Sequence, residues 1–221
     1  MATSTTNVST AKGVAGGYFF SAPIGTALPQ SYDDTLDSAF VDLGFLSDDG
    51  LAMSNEEDSE DFHDLNGDTI YSASSSRTET LTCTLVETKA ATLKEFWGQD
   101  NVTDENGLIT ETHTSKDRPS RVYVFDFVLR DGRRGRLIVC NGKVTEIGEE
   151  TYVSSELLGR EITVTANAGA DGWSVRRFIE STETQPTEDT NNPQNPQEQP
   201  VTEGESNNPQ NPQEQPVTEG E

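Results

Sequence analysis

The stretch "RTETLTCTLVE", residues 77–87, decides the fold. Thr78, Thr80, Thr82 and Thr84 alternate with Glu79, Leu81, Cys83 and Leu85, so from residue 80 onward one face is hydroxyl and the other apolar. A period of two marks a strand, and such contrast between faces means one side packs on a core while the other stays wet. The next residues change period. In "TKAATLKEFWG" (88–98), Leu93, Phe96 and Trp97 stand at helical spacing, Thr88 is placed to cap the start and Gly98 to end it. This predicts one short α-helix at about 89–97.

Downstream, strand signals follow one another. "RVYVFDFVLR" (121–130) sets Tyr123, Phe125, Phe127 and Leu129 against Val122, Val124, Asp126 and Val128. The turn "RDGRRGR" leads into "RLIVC" (136–140). Asn141-Gly142 then predicts a second hairpin, with "KVTEIGE" (143–149) as its return strand. "REITVTANA" (160–168) alternates again, and "WSVRRFIE" (173–180) closes the series. Upstream, "GYFFSAP" (17–23) and "FVDLGFL" (40–46) are two more strand candidates. The fold class is mainly β, a sandwich or barrel-like domain with a single short helix.

Three segments fall outside this pattern. Residues 1–15 are small and polar and predict an extended, flexible N-terminal arm. Thirteen acids lie between Asp33 and Asp68, densest in "SNEEDSEDFHD", with no Lys or Arg between Lys12 and Arg77. Lacking any core periodicity, residues 47–67 read as a long acidic loop. Residues 181–221 carry seven of the ten prolines, and "NNPQNPQEQPVTEGE" (191–205) returns at 207–221. That ribbon has too little apolar surface to offset roughly 1–2 kcal/mol of backbone entropy per residue, which predicts a disordered C-terminal tail. The expected organisation is therefore an arm (1–15), a β-rich domain (16–180) and a tail (181–221).

The chain holds 39 acidic and 15 basic residues; nine of the acids lie from Glu183 onward, leaving 30 against 15 in the body. Such a balance opposes wrapping nucleic acid, which takes dense Lys and Arg, but suits a surface nucleic acid must pass without sticking. No run approaches the roughly 20 apolar residues of a membrane-spanning helix. The N-terminus lacks the apolar core of a secretory signal. Cys83 and Cys140 sit in apolar stretches and read as buried free thiols.

Catalytic and metal signatures are missing. His63 and His113 are the only histidines and have no ligand spacing around them. "DLNGD" (64–68) fails as a calcium loop, because counting back from Gly67 puts Phe62 at the first ligand position. Paired carboxylates such as Glu149 and Glu150 occur without a cleft to give them roles. The expectation is no enzyme, no cofactor and no metal site. One charge reversal stands out: Arg130, Arg133, Arg134 and Arg136 form a basic cluster that complements the acidic stretch, with Asp48, Asp49, Glu56, Glu57, Asp58, Glu60 and Asp61 as its candidate contacts. Complementary patches on one chain point to copies docking head to tail, which builds filaments when the rotation does not close.

"GYFFSAPIGTALP" (17–29), "FVDLGFLSDDGL" (40–51), "LKEFWGQDNVT" (93–103) and "GKVTEIGE" (142–149), in that order, resemble the major tail tube proteins of long-tailed, non-contractile bacteriophages of Gram-positive, especially actinobacterial, hosts. The resemblance runs over roughly residues 14–180. It implies a sandwich-like tube fold, hexameric rings that stack, and an inner barrel pooled from six copies. It also implies a virion protein made in the host cytoplasm, which partners itself and the tape measure, tail-tip and terminator proteins while DNA passes through. By this resemblance the segment 47–68, and less firmly 1–15, bridges neighbouring rings. Thr78, Thr80, Thr82, Thr84, Glu161, Thr163 and Thr165 suit a water-filled lumen. The repeated tail reads either as an acidic brush on the outer wall or as a neutral duplication. A capsid decoration or pilus-like subunit, or a monomeric carbohydrate- or calcium-binding module, are the competing readings.

Overall fold

The computed structural model describes residue 5 and residues 8–182. The expected tail from 183 onward, and most of residues 1–7, lie outside the described residues. Among the described residues, eleven strands and one α-helix follow one another: β1 (Ala11–Gly13), β2 (Phe19–Pro23), β3 (Val41–Asp42), β4 (Leu46–His63), β5 (Thr69–Leu85), α1 (Ala90–Trp97), β6 (Val102–Glu105), β7 (Leu108–Glu111), β8 (Arg121–Leu129), β9 (Arg134–Ile147), β10 (Arg160–Ala166) and β11 (Val175–Ile179), with a 3-10 turn at Gln99–Asn101 after the helix. Nine strands make one sheet in the order β3-β2-β8-β9-β10-β5-β4, with β1 beside β8 and β11 beside β9, while β6 and β7 form a separate hairpin.

The long strand β9 organises the body. Its first part pairs with β8 and β11, from Val139 opposite Tyr123 and Val175 to Gly135 opposite Phe127 and Ile179. Its second part pairs with β10, from Gly142 opposite Ala166 to Ile147 opposite Ile162. The sheet therefore has two halves that share one strand and enclose the main core. Phe19, Tyr123, Phe127, Leu137 and Val139 come from one half; Leu81, Cys83, Leu85, Val144, Ile162 and Val164 come from the other. A second cluster on the far face of the first half joins Ala22, Val122, Val124 and Ile138 to Phe20, Leu28, Leu36, Phe40, Trp173 and Phe178. This explains why β8 is apolar on both faces: each is covered.

Asn141-Gly142 makes no hairpin, contrary to the sequence expectation; β9 continues through it, with a register shift against β8 between Val139 and Gly142. A Cβ on Gly142 would stand 2.7 Å from both Tyr123 Cδ2 and Val164 Cγ1, so this glycine serves close approach of the two halves and not a turn. The turn chemistry is used instead at Asn106-Gly107, where φ of 55° and 77° joins β6 to β7.

The segment 47–67 is also corrected, from acidic loop to ladder. Leu46–His63 is a strand paired with β5 almost along its length. Alternation disappears there because past Met53 the ribbon leaves the body, so neither face meets a core. In the N-terminal arm, Ala11–Gly13 pair with Leu129–Phe127 of β8, so this part of 1–15 is sheet. Helix α1 begins after Lys89 without a side-chain cap from Thr88, and ends at Gly98, whose φ of 93° and N–H to Lys94 O close the last turn.

Candidate functional site

The hydroxyl row predicted on β5 is one file of a wider wall. Thr80, Thr82 and Thr84 lie opposite Thr165, Thr163 and Glu161 of β10. On the other side, Thr78, Thr80 and Thr82 lie opposite Glu56, Ser54 and Ala52 of β4. Directly opposed residues share a face in an antiparallel pair, so all seven residues predicted for a wet surface stand together on one side. β9 extends it: Thr145 shares a hydrogen bond of 3.0 Å with the Thr165 hydroxyl and donates one of 3.3 Å to Thr163 O. Thr82 and Thr163 hydroxyls are 3.4 Å apart. Lys143, opposite Thr165, brings a cation to this face and is held by Asp117 at 2.6 Å. Behind the wall, Leu81, Cys83, Leu85, Ile162 and Val164 are buried. The Cys83 thiol is pushed up to about 12 by burial, then by the nearby Glu161 charge.

β10 covers β5 only from Glu79 to Leu85. Beyond that, Glu56–His63 and Thr69–Thr78 continue as a bare two-stranded ribbon. At ~3.3 Å per residue this arm reaches about 25 Å from the body. Its root is locked: Glu79, 6% exposed, accepts from Arg77 Nη2 at 2.5 Å and from the Ser174 hydroxyl. Its tip is closed by Asp64, whose Oδ1 accepts from the N–H groups of Asn66 at 2.8 Å and Asp68 at 2.9 Å. Those backbone bonds hold the Asp64 carboxyl below its ordinary range. Phe62 and Tyr71 face each other near the tip with ring centroids 5.9 Å apart.

The arm sorts the predicted acids. Alternation along β4 puts Glu56, Asp58 and Glu60 on the side of the hydroxyl wall and Glu57 and Asp61 on the other, where Arg77 approaches Glu57 at 3.7 Å. Asp48 and Asp49 are elsewhere, in the irregular stretch between Leu46 and Leu51, lining a recess with Lys12, Tyr18 and Phe125.

Arg130, Arg133, Arg134 and Arg136 do not act as one patch. Arg136 is buried and clamps Asp126 with two bonds of 2.6 and 2.8 Å while donating to Ser31 O and Asp34 O. It bolts the 24–40 segment onto the sheet. Arg133 pairs with Asp131 at 2.7 Å and keeps that carboxyl low, the side-chain bond being the main cause. Arg134 lies over the Tyr32 ring at 5.2 Å. Arg130 is exposed and joins the body through its backbone, to Thr10 O and Ser9 Oγ.

One buried polar cluster has no linear signature, because its members are scattered over the chain. Glu95 on α1 meets Arg121 at 2.9 Å, accepts from Ser21 Oγ at 2.7 Å and from the Tyr123 hydroxyl at 2.8 Å. Burial pushes the Glu95 carboxyl up, against the pull of Arg121. The Tyr123 hydroxyl is driven well above its usual value by burial and by the Glu95 charge. The cluster seats the helix on the sheet. Among the described residues no group of three or more His, Cys, Asp and Glu is placed to hold a metal ion, and no helix is long and apolar enough to cross a membrane.

Comparison with known proteins gives a family match and distant structural likenesses. The model of the family described as phage tail tube protein matches residues 1–190. Among solved structures, the chain is similar to the anti-feeding prophage cap, a tube terminating cap seen by cryo-EM, with 11% identity, a TM-score of 0.41, and 76% of this chain and 91% of that one covered. No curated protein matches. Residues 1–190 take in every strand of the sheet, the helix and the whole arm; the chain belongs to the phage tail tube protein family.

Proposed function

We propose that six copies of this chain form a ring, that rings stack into a tail tube, and that the hydroxyl wall lines a bore through which DNA leaves the virion for the host. The observation that carries this reading is a continuous polar face ending at an open edge. β4 is the outermost strand of its half of the sheet, and the arm exposes both of its edges. An open edge of this length invites pairing with another chain, and closing a sheet into a barrel is the way to remove it. Pooling strands from identical neighbours satisfies β4 and turns the threonine files toward a common axis. The family places the protein in the virion tail as a structural component; the tape measure, tail-tip and terminator proteins are its further partners in this reading.

Charge on the wall fits passage without capture. Glu56, Asp58, Glu60 and Glu161 stand on it, and Lys143 is neutralised by Asp117. Phosphates are repelled at short range, and hydroxyls offer only weak, exchangeable bonds. The arm, by the same reading, reaches from one ring to the next. The triple variant Glu56→Lys, Asp58→Lys, Glu161→Lys is expected to give tails of normal length that deliver DNA slowly or incompletely. Normal delivery kinetics from such particles would remove the conduit assignment.

A further inference from the structure

Three of the most exposed large apolar side chains among the described residues lie at opposite ends of one strand. Leu65, 106% exposed, tops the arm beyond β5's start. Tyr152 and Leu157, 77% and 75% exposed, stand in the 148–159 connection, whose two ends are tied to the finish of β5: Gly148 donates to Glu161 O, and Arg160 lies opposite Leu85. Strand β5 runs seventeen residues between them, about 55 Å at ~3.3 Å per residue, so the tip and this connection lie far apart within one chain.

The connection is held as a platform. Arg160 pairs with Glu150 and lies over the rings of Trp97, at 5.0 Å, and Phe96, at 5.6 Å. The Tyr152 hydroxyl donates to Glu150 at 3.1 Å. Trp97 Nε1 donates to Glu111 at 3.1 Å, and His113 stacks on the indole with centroids 3.5 Å apart. The fold thus spends ion pairs and ring stacking to order a surface whose outermost groups are apolar and uncovered.

The tip has the complementary need. Phe62, Leu65, Ile70 and Tyr71 are all exposed on a two-stranded ribbon, a structure that is marginal in water without something to pack on. Apolar groups at one end and an ordered apolar platform at the other form a heterologous pair, and such pairs repeat along a line when copies are related by translation.

We propose that the platform bearing Tyr152 and Leu157 receives the arm tip, Phe62, Leu65 and Tyr71, of a second copy in the next ring. This deepens the stacking reading above and rests on it. It reassigns the axial contact from the acid–arginine pairing suggested by the sequence to an apolar one. Arg136 and Arg133 being neutralised inside their own chain leaves that pairing only Arg130 and Arg134.

The test uses the full chain carrying Leu65→Cys and Leu157→Cys on a Cys140→Ser background, with Cys83 left buried. Tubes treated with a short bis-maleimide should give a ladder of dimers, trimers and higher species on a denaturing gel, while either single variant gives monomer. A tube-forming double variant without a ladder overturns the proposal, as does dimer from Leu65→Cys alone, which would mean tips meeting tips. Leu65→Asp supplies a second readout: tube assembly should need about tenfold more protein while the isolated chain melts unchanged, and unaltered assembly counts against the contact. Failure of the stacking reading looks different, since the unmodified chain would then give no tubes at all.

Discussion

Replacing Arg121 with methionine tests the buried cluster that seats α1. The guanidinium stands 2.9 Å from Glu95 Oε1, with side-chain exposures of 9% and 2%. At an effective dielectric of about 20, charges at that separation attract by about 6 kcal/mol, opposed by the cost of taking both out of water. Removing one partner leaves the other charge buried with only the Ser21 and Tyr123 hydroxyls, and such losses run to about 3–5 kcal/mol. Because the Glu95 carboxyl is already raised by burial, the folded protein binds its proton more tightly than the unfolded chain. Stability from this group therefore falls as pH rises from the ordinary carboxylate range through the folded value, then stays level. Without Arg121 the folded value rises further, so the variant's deficit should be largest at pH 7 and shrink toward pH 5. Urea unfolding of Arg121→Met at the two pH values measures this, with Glu95→Gln/Arg121→Met expected to recover most of the loss. A deficit below about 1 kcal/mol at pH 7, or one indifferent to pH, would refute the account.

Gly142→Ala should cost about 1–3 kcal/mol in thermal unfolding, since the added methyl meets Tyr123 and Val164 at 2.7 Å from both halves of the sheet. Arg136→Ala leaves Asp126 without its clamp and frees Ser31 O and Asp34 O, so limited proteolysis should show new cuts within 24–40 that the unmodified chain lacks, with about 3 kcal/mol lost. A maleimide reagent at pH 8 should label at most Cys140 in the folded chain, because the Cys83 thiol is buried and raised to about 12; both should react in denaturant. Below the ordinary carboxylate range, stability drawn from Asp117 and Asp131 should be lost as pH falls through their lowered folded values, and Asp131→Asn should flatten part of that acid limb.

The body was legible where a strand had one covered face. From residue 80 to 85 the alternation named both the core side, Leu81, Cys83 and Leu85, and the wet side; the pairing with β10 was not legible and comes from the structure. Helix α1 was readable because Gly98 and the apolar triplet act locally. Strand β4 was not, since hydrophobic patterning reports what packs on a segment, and outside the body nothing packs on it. Asn141-Gly142 misled for the opposite reason: turn residues are also the small residues that crowded crossings need. The arginines looked like a patch because proximity in sequence was taken for proximity of free charge, yet Arg136 points into the structure and spends itself on Asp126 and two carbonyls. The Glu95 cluster, drawn from positions 21, 95, 121 and 123, is invisible to any local reading.

Strand β9 carries both halves of the body on one continuous chain, paired with β8 and β11 up to Val139 and with β10 from Gly142. With more than two strands side by side in each half, the body resists bending far more than a two-stranded ribbon does. The arm is a thin strip, and the bending stiffness of a strip falls steeply with its thickness. In the tube proposed above, bodies joined through such strips should curve at the links, with a persistence length set by the ribbon Glu56–Thr78 more than by the core. Changes that stiffen or shorten that ribbon would then alter how sharply the filament bows while leaving its diameter unchanged.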